Sequence, residues 1–187
     1  MYKRILVLFF WSILFLLSVS FQKSISTERK KELPTPEKIN NLLFYIQRSI
    51  NISVINYVLN TDEKGELNVT EPIKAYWKNY ASDGSAEPLN YIQRKFAYGI
   101  EVKMLDADKK SFCFNFVSYK KKKIFLLKSL VDNKYQAICE INNKMAALDR
   151  IFIQIEGGSF WVPKIKYIEI RGKEFSKNEE VTERIIP

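Results

Sequence analysis

The sequence predicts an all-β fold, on three observations. Between Ile100 and Gly172, short runs alternate apolar with polar residues at the period of two that a half-buried strand produces. Clusters of Asp, Asn, Gly and Lys punctuate these runs at roughly 8–12-residue spacing. Only Pro88–Gly99 carries helical spacing. About eight or nine strands result, and their short connections favour an antiparallel meander, closed as a barrel or packed as a sandwich.

The chain opens on a different pattern. Lys3 and Arg4 precede a nearly unbroken apolar run, Ile5–Leu17, and Ser18-Val19-Ser20 supplies small residues for cleavage. This reads as a secretory signal peptide over residues 1–20, cleaved near Ser20. A spanning helix needs roughly 20 apolar residues, so no stable transmembrane segment is expected after cleavage; an uncleaved anchor is the alternative. No cysteine follows the run for lipid attachment. Residues 21–38 are polar, with Pro34 and Pro36, and read as a linker; residues 39–187 form the single β-rich domain.

Within that domain the first strand is Leu42–Ser49, with Phe44 and Ile46 on one face and Tyr45 and Gln47 on the other. Ser53–Thr61 follows, where Ile55, Tyr57 and Leu59 alternate with Val54, Asn56 and Val58, and Asp62–Gly65 turns the chain. In the third strand, Pro72–Tyr80, Ile73, Ala75 and Trp77 share a face opposite Tyr76 and Tyr80; Ala81–Glu87 is a polar loop. A short helix near 88–98 is expected, with Pro88 opening it, Gly99 closing it, and Leu89, Ile92 and Phe96 as its one-sided apolar stripe. Ile100–Leu105 and Ser111–Tyr119 come next, the latter with Phe112, Phe114 and Phe116 on one face. Lys120–Lys122 reads as a hairpin tip before Lys123–Val131. Tyr135–Asn142, Met145–Ile155 (ended by Gly157-Gly158) and Pro163–Gly172 complete the set, leaving a charged surface tail from Lys173.

Tyr-Ile-Gln-Arg occurs twice, at Tyr45–Arg48 and Tyr91–Arg94, with further matches at the same offset, such as Leu59 with Leu105 and Asp62 with Asp108. A true duplication requires Leu89–Arg94 to be a strand, against the helix predicted there. Cys113 and Cys139 fall two strands apart in a meander, roughly 9–10 Å at ~4.8 Å per strand. A disulfide needs Cα atoms within about 7 Å, so two buried free thiols are expected.

The residue content restricts the chemistry. There is no histidine, which excludes Ser-His-Asp and Cys-His centres and removes the commonest zinc ligand. No metal site or cofactor is expected, and no phosphate loop or nucleic-acid motif occurs. Sequons at Asn51 and Asn68 carry no weight outside a eukaryotic host. An enzyme would have to use carboxylates: Asp106 with Asp108, Glu179 with Glu180, or the strand residues Glu101, Glu140 and Glu169. For a binding protein, Tyr45, Gln47, Arg48, Trp77, Tyr80, Tyr91, Arg94 and Tyr98 form an aromatic and polar set in the N-terminal half. The simpler alternatives are core aromatics, and ion pairs of Arg48 and Arg94 with Asp62 or Asp108. The net charge of +9, about +7 without the signal, suits anionic envelope components as well as plain solubility.

The segments Leu42-Leu43-Phe44-Tyr45-Ile46-Gln47-Arg48-Ser49, Glu71-Pro72-Ile73 with Tyr76-Trp77, and Phe96-Ala97-Tyr98-Gly99 resemble domain of unknown function family 4833, from about Leu33 to the C-terminus. That family consists of exported bacterial proteins, largely from Bacteroidetes-type organisms. The resemblance implies an exported single domain without assigned activity and transfers no catalytic residue. The expectation is an exported, non-enzymatic domain, periplasmic or extracellular, that takes a small amphiphile or glycan into an aromatic-lined cavity with Arg48 or Arg94 on its polar end. A carboxylate-using envelope glycan hydrolase and a protein–protein assembly factor are the alternatives.

Overall fold

The computed structural model describes residues 33–187 except 37, 109, 130–132, 160–161 and 176. The expected signal peptide and the linker up to residue 32 lie outside the described residues. The described chain is all-β with one short helix. Its strands are β1 (Leu42–Arg48), β2 (Val54–Leu59), β3 (Ile73–Lys78), β4 (Ala86–Pro88), β5 (Ile100–Asp106), β6 (Ser111–Phe116), β7 (Tyr119–Lys128), β8 (Tyr135–Ile141), β9 (Lys144–Gly158), β10 (Pro163–Glu174) and β11 (Glu180–Ile185), with helix α1 (Tyr91–Phe96) between β4 and β5.

Alternation sets the faces. Phe44 and Ile46 on β1, Ile55 and Tyr57 on β2, and Phe112, Phe114 and Phe116 on β6 all enter one core. Phe44 stacks on Tyr57 with centroids 4.5 Å apart and meets Phe114 at 6.2 Å. Each fully buried ring contributes about 1.5–3 kcal/mol of transfer free energy, so this aromatic block anchors the fold.

The pairing corrects the meander. The strands run β4-β3-β2-β1-β9-β8-β7-β6-β5, with β10 on β9 and β11 on β10. Two antiparallel meanders, β1–β4 and β5–β9, are joined because β1 pairs with β9 in parallel, Tyr45 opposite Arg150 through Arg48 opposite Ile153. The sheet is therefore mixed. β10 occupies one edge of β9 from Ala146 to Gly158. The other edge is shared end to end, by β8 at Lys144–Ala147 and by β1 at Arg150–Ile153. Asp149 is the extra residue of a bulge where β9 passes from one partner to the other, since Arg171 faces Arg150 while Gly172 faces Leu148. Gly172 is required there: a Cβ would stand 2.4 Å from the Ala147 carbonyl oxygen and 2.7 Å from Ile141 Cδ1.

Several local expectations are corrected. The polar loop at Ala81–Glu87 contains the start of β4, and the charged tail contains β11, whose Val181 is buried against β10. The β6–β7 turn is Val117-Ser118, so Lys120–Lys122 lies inside β7; Val117-Ser118 carries none of the Gly or Asn that marks a tip. By contrast Asn142, read as the end of a strand, and Asn143, with φ of 50° and 61°, make a tight turn into β9. β9 continues through Gly157 and Gly158, both at positive φ. In α1, Asn90 is the N-cap, forming a capping box with Gln93, while Pro88 ends β4 instead of opening the helix. The predicted stripe is not buried: Leu89 is enclosed, but Ile92 is 44% and Phe96 62% exposed.

Because Tyr91–Phe96 is helical while Tyr45–Arg48 is strand, the structure does not support duplication. Cys113 and Cys139 are free thiols as expected, although Cys113 is only half-buried because it faces away from the phenylalanines.

Candidate functional site

The inner surface of β9, β10 and β11 is aliphatic. Leu148, Ile151, Ile153, Ile168, Ile170 and Ile185 form one wall of a cavity. The opposite wall comes from Phe116 on β6, Tyr119, Lys122 and Ile124 on β7, and Cys139 on β8, together with Tyr98. The cavity is partly open to solvent and has a volume of about 80 Å³. An apolar cavity of ~150 Å³ holds benzene, so this one has room for the end of an aliphatic chain. The expected aromatic-lined cavity is therefore mainly isoleucine-lined. Burial pushes the Cys139 thiol up to about 11.

One charged pair faces this wall. Lys122 shares the inward register of Ile124 and Leu126, and Glu183 that of Val181 and Ile185. Lys122 Nζ donates to Glu183, which also accepts the Asn142 backbone N–H at 3.2 Å. β11 pairs only with β10, so these contacts join its second edge to β7 and the β8–β9 turn.

The eight predicted ligand residues separate into three groups. Arg48, Trp77 and Tyr98 come together, and of the three Tyr98 lines the cavity; Arg48 follows Ile46 on the inward face of β1 and pairs with Ile153, both of which line it too. The guanidinium lies 4.7 Å from the Trp77 centroid and 5.8 Å from that of Tyr98. Nη1 donates to the Tyr98 hydroxyl at 3.0 Å, and the Tyr57 hydroxyl donates to the Tyr98 carbonyl at 2.6 Å. Arg48 Nε and Trp77 Nε1 are buried without hydrogen-bond partners. The alternative of an ion pair is not what Arg48 forms: Asp62 accepts the backbone N–H groups of Lys64 and Glu66 in its own turn, and no described carboxylate pairs with Arg48.

Tyr45, Gln47 and Tyr80 belong to the outward side of the first meander. Tyr45 stands opposite Asn56, and Asn56 opposite Tyr76. Gln47 Nε2 donates to the Pro34 carbonyl at 2.5 Å, so the segment before β1 covers this face. Asn56 is fully buried and Gln47 is 2% exposed, yet both amide atoms of Asn56, Gln47 Oε1 and the Tyr80 hydroxyl lack partners. Burial raises the Tyr45 and Tyr76 phenols. Tyr91 and Arg94 stand on exposed α1, Tyr91 accepting from Lys95 Nζ at 2.9 Å and Arg94 without an ion pair among the described residues.

The carboxylates are committed elsewhere. A hydrogen bond from Lys120 holds Glu101 below its ordinary range, and one from Arg184 does the same for Glu169, which also meets Arg150. A glycosidase general acid needs the opposite shift. Glu140 is exposed, Glu180 lies 3.7 Å from Arg171, and Asp106 accepts the Asp108 N–H. Among the described residues no group of three or more Cys, Asp or Glu could hold a metal ion, and no helix is long and apolar enough to cross a membrane.

Sequence reasoning missed the cavity wall because alternating isoleucines on β9 and β10 read equally well as sealed core. The available signal was Lys122, which stands two residues before Ile124 and four before Leu126 and so shares their inward register. Placing it in a turn obscured that signal.

No curated protein and no solved structure matches the chain. A family model described as Domain of unknown function (DUF4833) matches residues 44–184, from the inward phenylalanine of β1 to the penultimate residue of β11. The match spans both meanders and every cavity-lining residue named above except Ile185, and the chain belongs to that family.

Proposed function

We propose that this chain is an exported, non-enzymatic ligand-binding domain of the bacterial cell envelope, which takes the apolar end of a small amphiphile between β9–β11 and β6–β8. The observation that carries this reading is the shared position of Tyr98, which lines the aliphatic cavity and contacts the Arg48 guanidinium. An apolar slot and a cation thus meet at one side chain, which suits an amphiphile better than a glycan. Arg48 takes the role of fixing the polar end; Arg94, on exposed α1, does not reach it by any described contact. The Lys3-Arg4 and Ile5–Leu17 pattern supports export.

Native mass spectrometry of protein isolated from its own host tests the reading. The expected result is a retained small molecule lost on Ile153→Glu substitution, and a bare chain that also fails to bind alkyl probes would refute it. An assembly factor is the second reading, favoured by one observation: residues Glu101–Leu105 of the edge strand β5 are all exposed, together with Tyr91, Ile92 and Phe96 of α1. Co-purification of a partner protein that is lost on Phe96→Asp, with no small molecule retained, would favour it.

A further inference from the structure

We infer that the polar end of the ligand is an anion, held by Arg48 Nε and the Trp77 indole N–H. The inference rests on the amphiphile reading and deepens it by assigning the headgroup class. Its basis is a mismatch in the Arg48 cluster. A guanidinium has five N–H donors and carries a fixed positive charge. Here it has two aromatic faces and one hydroxyl as neighbours, and no described carboxylate pairs with it. Its Nε is buried without an acceptor, and Trp77 Nε1, on the ring beneath it, is buried without one too.

Both orphans are donors. An unpaired buried donor costs about 1–3 kcal/mol, and a cation without a counter-charge costs more. A group that supplies only acceptors and a negative charge would correct both deficits. Carboxylate and phosphate meet that description, whereas a neutral hydroxyl brings back a donor and no charge.

Tyr98 relates this corner to the cavity. Tyr98 lines the cavity, its ring packs edge-on against Trp77 at 5.6 Å, and its hydroxyl accepts from Arg48. In accepting, that hydroxyl keeps its own hydrogen free to donate to the same anion. The cation of the cavity wall, Lys122, already has Glu183. Arg48 is therefore the cation of this site that still needs an anion.

The test uses the purified protein with decanoate, decyl phosphate and decanol, which share an alkyl tail, and with acetate and inorganic phosphate as tail-less anions. Calorimetry is expected to give decanoate or decyl phosphate at least about tenfold tighter binding than decanol. The tail-less anions are expected to bind far more weakly. Arg48→Met should bring the acids to the level of the alcohol without weakening the alcohol. Trp77→Phe, which keeps a ring and removes only the N–H, should cost the acids several-fold and the alcohol nothing, and it reads the site even if Arg48→Met fails to fold. Equal binding of acid and alcohol by the unsubstituted protein overturns the anion assignment and leaves the amphiphile reading standing. Free phosphate binding as tightly as decyl phosphate would overturn the amphiphile reading instead, leaving a simple anion site. Binding of none of the three alkyl probes would overturn both.

Discussion

Asn56 and Gly172 show how single residues carry opposite signs of strain. Asn56 holds a fully buried side-chain amide with neither atom bonded, although the Tyr76 hydroxyl is close. Since an unsatisfied buried polar group costs about 1–3 kcal/mol, Asn56→Leu, nearly the same shape, is expected to raise stability by about 1 kcal/mol or more. Urea denaturation checks this; a loss of stability would mean that the amide is satisfied in solution. Gly172 is the reverse case, because the space a methyl group needs is already filled by the Ala147 carbonyl and Ile141. Gly172→Ala should cost about 1–3 kcal/mol, or more if the backbone cannot shift, read by the same melt. Neither effect is legible in the sequence. Asn56 looks like the polar face of an alternating strand, and Gly172 like the end of one.

At the scale of an element, β11 is the strand that closes the cavity wall from the end of the chain. It pairs with β10 alone, and its far edge is held by the Glu183 contacts to Lys122 and Asn142. Loosening that edge should expose the cavity wall, including Cys139. In a Cys113→Ser background, Glu183→Lys is expected to raise the labelling rate of Cys139 by an aromatic disulfide reagent at least about tenfold at fixed pH. The exchanged pair Lys122→Glu with Glu183→Lys should restore slow labelling. An unchanged rate in the single variant would show that β11 is held by its backbone pairing alone. The sequence concealed this element because Glu180–Ile185 sets only Val181 and Ile185 among polar and charged residues, a pattern shared by solvated tails. Helix α1 was legible for a local reason, its spacing, but its N-cap at Asn90 and the direction of its apolar stripe were not.

On the scale of the whole molecule, β9, β10 and β11 are tied on their outer face by Arg150, Glu169 and Arg184. The hydrogen bond from Arg184, with help from Arg150, depresses the Glu169 carboxyl below its ordinary 4.5. A carboxyl depressed in the folded state binds fewer protons there than in the unfolded chain. Its contribution is therefore complete above about pH 4.5 and lost as pH falls through the folded-state value. Thermal melts of the native chain and Glu169→Gln should differ at pH 7, with the native chain more stable, and converge as the pH drops below that range. A gap independent of pH would assign the difference to packing. The family match covers all three strands, so this network lies inside the shared domain.

By itself the sequence determined the fold class, the inward-facing residues of β1, β2 and β6, the free cysteines and the short helix, since each follows from periodicity or residue spacing along the chain. It also singled out Arg48, Trp77 and Tyr98 as residue types suited to a ligand. Only the tertiary structure decided which of the eight candidates meet, that β1 lies parallel to β9, and that isoleucines of three strands enclose a space. Parallel pairing across about a hundred residues leaves no local trace, because the turn chemistry that announces an antiparallel neighbour is missing. Whether an apolar face closes on another or stands back from it is likewise a property of two surfaces, and one strand's pattern reports only its own.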